Sequence, residues 1–185
     1  MTVKVVDVKS QLVLGLREVG PYKKIMEIIS KIAQYAAARG IELTGDPIFL
    51  CHETPKEPCA RQGNADLEVV VPIKEKISSD EESMETGIIC YTIPGGKFAK
   101  ILHKGPYEKS QESYKELFSW IKENGYRIVG PIREVYLNDP KEFLPAELLT
   151  EICAPVEKGK EDKTLEKEAK KSRSKDYTKS TIPRG

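Results

Sequence analysis

The order of apolar and polar residues along the chain predicts its elements before any composition is counted. Ile25, Ile28, Ile29 and Ile32 recur at i, i+3, i+4 and i+7, which is the stripe of a helix lying on a core. Tyr114, Leu117, Phe118 and Ile121 draw the same stripe, with Trp120 beside it at the predicted helix–sheet margin. Strand-like runs stand at about Pro47–His52, Asp66–Ile73, Pro131–Leu137 and Leu148–Pro155, and further extended segments at Val3–Val8 and Thr86–Ile93. Gly40 and Gly125 follow the two stripes as left-handed helix stops. Pro21 and Pro106 sit where each helix begins, because the missing N–H is not needed there.

These elements repeat. LGLREVGPY (Leu14 to Tyr22) matches AKILHKGPY (Ala99 to Tyr107) at an offset of 85, and the same offset carries Gly40 onto Gly125 and Gly45 onto Gly130. Near the end the offset becomes 83, carrying Glu68 onto Glu151 and Pro72-Ile73 onto Pro155-Val156. Each half reads strand–helix–strand–strand, over about residues 3–74 and 86–156. One helix stripe per half buries only one face of its strands. The expected fold is therefore α+β: a duplicated βαββ unit with pseudo-twofold symmetry, an antiparallel sheet with both helices on one side, and a concave groove.

Alternation along GPIREVYLNDP places Glu134 and Tyr136 on one face and Arg133, Val135 and Leu137 on the other. Val135 and Leu137 suit the helix-covered core, so Glu134 and Tyr136 are expected on the opposite, concave face. The equivalents of those two in the first half, Phe49 and Cys51, are apolar. One carboxylate on an apolar, aromatic face is a place for an amphipathic cation, because it is costly to bury unpaired and rings beside it add cation–π attraction. The bland alternative is an ion pair of Glu134 with Arg133, Arg127 or a lysine. Trp120, Tyr91 and Phe98 join Tyr136 and Phe49 as candidate lining, each with ordinary core packing as the competing reading. Glu68 and Glu151 read equally well as outward pleat positions, and His103 as a polar residue beside a helix start.

Charge and cysteines narrow the classes. The 185 residues carry 30 Lys+Arg and 29 Asp+Glu. From Glu157 to Gly185 there are 10 Lys+Arg against 6 Asp+Glu, a net of +4, which leaves residues 1–156 at −3. An acidic body argues against a broad phosphate-binding face. The basic stretch reads as a solvated, disordered tail, with an acidic partner or nucleic acid as the alternatives. There is no apolar run of membrane-spanning length and no signal-peptide pattern, so a soluble, cytoplasmic protein with reduced thiols is expected. Cys51 and His52 adjoin and Cys59 follows, but neighbours on a strand point to opposite faces, and no metal is expected. Phosphate loops, His-x-x-x-His pairs and nucleophile elbows are absent.

The duplicated Gly-Pro-Tyr, the segment IPGGKFAKILHKGPYEK, the strand REVYLNDP and the closing TEICAPV together resemble the GyrI-like small-molecule-binding domain. This is the effector-binding domain of AraC- and MerR-type transcription activators, related in fold to SOUL haem-binding proteins. The resemblance spans about residues 3–156. It implies two βαββ repeats around a ligand groove, with a glutamate matching Glu134 receiving lipophilic cations among aromatic rings. It further implies a stand-alone member without a DNA-binding module of its own, and no haem or other cofactor. The leading expectation is a binding protein, a sink or sensor for aromatic cations. Two alternatives accompany it: a hydrolase opening cyclopropane-type toxins with Glu134 directing water, and a protein partner of DNA gyrase type.

Overall fold

A computed structural model describes residues 2–53, 64–78 and 81–159. In chain order the strands and helices are β1 (Lys4–Val8), β2 (Gln11–Gly20), α1 (Ile25–Ala38), β3 (Ile48–Cys51), β4 (Ala65–Pro72), α2 (Glu81–Thr86), β5 (Ile89–Ile93), β6 (Gly96–Lys104), α3 (Gln111–Glu123), β7 (Tyr126–Ile128), β8 (Ile132–Tyr136) and β9 (Leu149–Lys158). A short 3-10 turn precedes each long helix, at Tyr22–Lys24 and Tyr107–Lys109. The strands form an antiparallel sheet in the order β1-β6-β9-β8-β3-β4-β2-β5, with β7 paired to the outer end of β9. The α+β architecture is the expected one. Short α2 and β7 carry too little periodicity to be seen in sequence, and β9 runs two residues past 156, into the stretch expected to be tail. The rest of that stretch lies outside the described residues, as does Cys59.

Chain connectivity forces the sheet to roll. Only Lys9 and Ser10 join β1 to β2, and only Pro94 and Gly95 join β5 to β6, yet in each case the joined strands stand six places apart in the sheet. Three Cα–Cα steps reach at most about 11 Å, so the two ends of the sheet must come together. The two links cross in contact: a Cβ at Gly95 would stand 2.6 Å from the Lys9 carbonyl carbon, which only glycine avoids.

The roll explains why both faces carry buried apolar residues. Its inner face packs Val13, Ile48, Leu50, Val70 and Ile93 against Tyr91 and Val135 with no helix present. The outer face carries α1 and α3, whose Ile28, Ile32, Leu117 and Ile121 bury against Leu14, Phe49, Val69, Ile101 and Ile152. Gly40 and Gly125 stop the helices with φ of +64° and +68°.

This geometry reverses the expected assignment of faces. Val135 packs on the inner, helix-free face and Leu137 is exposed, whereas Tyr136 belongs to the cluster under the helices. A concave sheet face invites a ligand only if it stays open, and here the sheet's own curl fills it with side chains. The open space lies on the helix side.

Candidate functional site

Each Gly-Pro-Tyr does the same local work. Pro21 and Pro106 stay extended, with φ −73° and −59°, and the chain then turns through a 3-10 step into the helix. Tyr22 and Tyr107 are thereby set at corresponding corners. Between the two helix starts, β3 and β8 are neighbours, with Phe49 directly opposite Glu134. A cavity of about 490 Å³ opens there. Phe49, Glu134 and Tyr136 line it from the sheet, Tyr22, Tyr107 and Tyr114 from the helix side, and Lys23 and Glu108 also border it.

Glu134 is half-buried, and its carboxylate is held by two phenols. Tyr114 donates its hydroxyl to Oε1, and Tyr136 donates to Oε2 at 3.0 Å. Burial raises its pKa above the ordinary carboxylate range; the two hydroxyls, and more weakly His103, pull in the other direction. The ion-pair alternative does not describe this residue. Arg133 points to the inner face, where it donates to the Pro94 carbonyl and covers the Phe98 ring at 4.4 Å, and Arg127 pairs with Glu157. Among the described residues no lysine or arginine forms a salt bridge with Glu134.

The walls are aromatic pairs. Tyr22 stands edge-on to Phe49 at 6.0 Å and Tyr107 edge-on to Tyr136 at 5.3 Å, the arrangement ring quadrupoles favour. The Tyr107 hydroxyl is buried with no hydrogen-bond partner among the described residues. Burial, with the charges of Asp139 and Glu134, raises its pKa. The buried His103 donates from Nε2 to the Pro106 carbonyl at 3.1 Å, so Nδ1 is the nitrogen that faces Ser113 Oγ at 3.1 Å. Both ring nitrogens are used, and His103 fastens the Gly-Pro-Tyr turn to α3.

The candidates named from sequence are thus divided. Glu134, Tyr136 and Phe49 come together in one cavity. Trp120 stacks on Tyr126 at 5.9 Å, toward the C-terminal end of α3. Tyr91 and Phe98 lie on the inner face of the roll, Tyr91 donating to Glu68 and Phe98 beneath Arg133. Glu68 also meets His52, and Glu151 pairs with Lys100 at 2.6 Å; both carboxylates are on the sheet face turned away from Glu134. Cys51 points into the core while His52 points the other way, and the described residues hold no metal-binding cluster. Sequence reasoning did not place Tyr22, Tyr107 and Tyr114 in the site. The signal for Tyr114 was a phenol in an otherwise aliphatic or Phe-containing stripe, and for the other two it was their repetition behind Gly-Pro.

Comparison with known proteins finds relatives of the same fold. The family model described as the GyrI-like small molecule binding domain matches residues 1–157. The crystal structure of the EcmrR C-terminal domain is 27% identical, superimposes with a TM-score of 0.73, and covers 85% of this chain and 98% of its own. EcmrR in its complex with DNA is 26% identical with a TM-score of 0.74; 85% of this chain is covered, and it spans 57% of that longer protein. A hydrolase from Listeria innocua shares the fold at 13% identity and a TM-score of 0.61, over 84% of this chain and 92% of its own. A comparison with curated proteins finds no significant relative.

Proposed function

Because the chain belongs to the GyrI-like small-molecule-binding domain family, we propose that its groove captures small amphipathic aromatic cations as a sink or sensor, with Glu134 as the counter-charge. One observation carries the reading: a carboxylate at the floor of an aromatic cavity, held by Tyr114 and Tyr136, with no basic partner among the described residues. Such a group is poorly solvated and gains most from a cation that brings its own apolar surface. A cation seated over a ring of Tyr22, Phe49 or Tyr107 would gain cation–π attraction of about 0.5–2 kcal/mol. The cavity is of the size that encloses a drug-like molecule. No DNA contact is assigned to residues 1–156, whose net charge is −3.

A second reading uses the same carboxylate differently. Burial raises the pKa of Glu134 above the ordinary carboxylate range, the direction that suits general acid–base chemistry on a strained electrophile. The Listeria innocua hydrolase shares only the fold and lends no residues to this. Mass spectrometry of wild type and Glu134→Gln, each mixed with aromatic cations and a cyclopropane electrophile, separates the two. Binding of intact cation by wild type and its loss in the variant is the expected result. An electrophile returned heavier by one water, only with wild type, makes the protein a hydrolase. Unchanged cation affinity in the variant would sink the binding reading, and an electrophile returned intact by wild type would sink the hydrolase.

A further inference from the structure

The two ends of the groove hold their carboxylates differently: beside Tyr107, Glu108 borders the cavity and Asp139 stands near, both exposed, whereas beside Tyr22 the carboxylate, Glu53, is half-buried and reaches the cavity through Tyr22. At one end the Tyr22 hydroxyl donates to Glu53 Oε2 at 3.2 Å, and Glu53 is half-buried with no lysine or arginine bonded to it among the described residues. At the other end the matching tyrosine, Tyr107, has no hydrogen-bond partner among the described residues. The residue matching Glu53 at the offset of 85 is Asn138, whose amide is spent on the Glu147 carbonyl and the Leu149 N–H. The carboxylate is therefore an addition to one wall and not a demand of the fold.

A phenol that donates to a carboxylate is enriched in electrons, so its ring face attracts cations more strongly. Tyr22 stands against Phe49, which is directly opposite Glu134, while Glu53 follows Phe49 by four residues. β3 ends at Cys51, so even a fully extended path from Phe49 to Glu53, with one strand spacing between β3 and β8, keeps the two backbone positions within about 14 Å of each other. Lys23 also borders the cavity, but it is exposed and its ammonium is solvated.

Building on the cation-binding reading, we infer that the groove has two cation stations, Glu134 with Tyr114 and Tyr136 inside and Tyr22–Glu53 outside, and that it selects elongated aromatic dications over monocations. The chemical class is a bis-amidine or bis-ammonium whose charges are separated by an aromatic or alkyl span of up to that length.

Isothermal titration of the full chain tests this with 4,4′-diamidinostilbene, a rigid bis-benzamidine, beside the same molecule with one amidine replaced by hydrogen. Wild type is expected to bind the dication about tenfold tighter than the monocation, the difference a second charge contact supplies. Glu53→Gln should bring the dication to the affinity of the monocation and leave the monocation unchanged. Tyr22→Phe should remove part of the advantage, and Glu134→Gln should weaken both ligands. Equal affinities in wild type, or a dication advantage that survives Glu53→Gln, would overturn the two-station inference while monocation binding through Glu134 stands. Failure of wild type to bind either ligand, or monocation binding indifferent to Glu134→Gln, overturns the cation reading and this inference with it. Circular dichroism melts of the variants separate lost binding from lost folding.

Discussion

In the proposed function the chemistry of the site concentrates on one side chain, Glu134, and its protonation. Its folded pKa is raised by desolvation, so the stability associated with the neutral acid is present at low pH and is lost as pH rises through the folded value. Glutamine is neutral throughout. Glu134→Gln should therefore melt higher than wild type at neutral and alkaline pH, and the gain should disappear toward acid; thermal melts from pH 4 to 9 read this directly. Cation binding carries the opposite sign. A cation needs the ionised carboxylate, so below the raised pKa it must displace a proton, and affinity should fall by up to about tenfold per pH unit. Titrations across the same range should show that slope in wild type and a flat, weak profile in the variant. A wild-type affinity independent of pH would mean that Glu134 is ionised without help and is not the group that limits binding.

At the scale of elements, what the sequence disclosed and what it withheld have one physical cause. Helix stripes have a polar side and an apolar side, so α1 and α3 were legible with their buried Ile28, Ile32, Leu117 and Ile121. Helix ends were legible too, since Gly40 and Gly125 bear the positive φ that stops them. All four residues of β3 are buried, so alternation there shows that two faces exist and says nothing of which one meets a helix. That is how the pattern sets Glu134 apart as a lone carboxylate and yet puts it on the concave face, when it lies on the helix side of the sheet. Tyr91 and Phe98 were drawn into the site by their aromatic character alone, and only the roll reveals that they face its interior. The crossing of the two short links is the element on which that roll depends. A Cβ at Gly95 meets the backbone of Lys9 and Ser10, which has no free rotamer with which to yield. Gly95→Ala should lower stability by about 1–3 kcal/mol, as overpacking against a rigid neighbour does. Chemical denaturation should show the drop, while Gly96→Ala, where a Cβ meets nothing within 4 Å, reports the backbone strain at φ +145° alone.

For the molecule as a whole, the rolled sheet makes the groove possible by dividing labour between its faces. The inner face closes on itself and needs no cover, which frees both long helices to stand apart on the outer face and leave a cavity between their first turns. The same closure carries the described fold past residue 156. Glu157 and Lys158 complete the pairing of β9 with β7, the Lys158 ammonium covers the Tyr126 ring at 4.2 Å and bonds the Asn124 carbonyl at 2.8 Å, and the Gly159 N–H bonds the Gly125 carbonyl at 2.8 Å. A boundary drawn from charge alone, at residue 156, cuts through these contacts. A chain ending at Gly159 should therefore melt with the full-length protein and bind aromatic cations with the same affinity. A chain ending at Val156 should lose roughly 1.5–6 kcal/mol, from two or three backbone hydrogen bonds and a cation–π contact at about 0.5–1.5 kcal/mol each. Because these contacts lie at the C-terminal end of α3 and the groove at its N-terminal end, the shorter chain should keep its cation affinity at temperatures where it is folded. If affinity instead falls already on removal of residues 160–185, the basic segment takes part in capture, and the groove does not act alone.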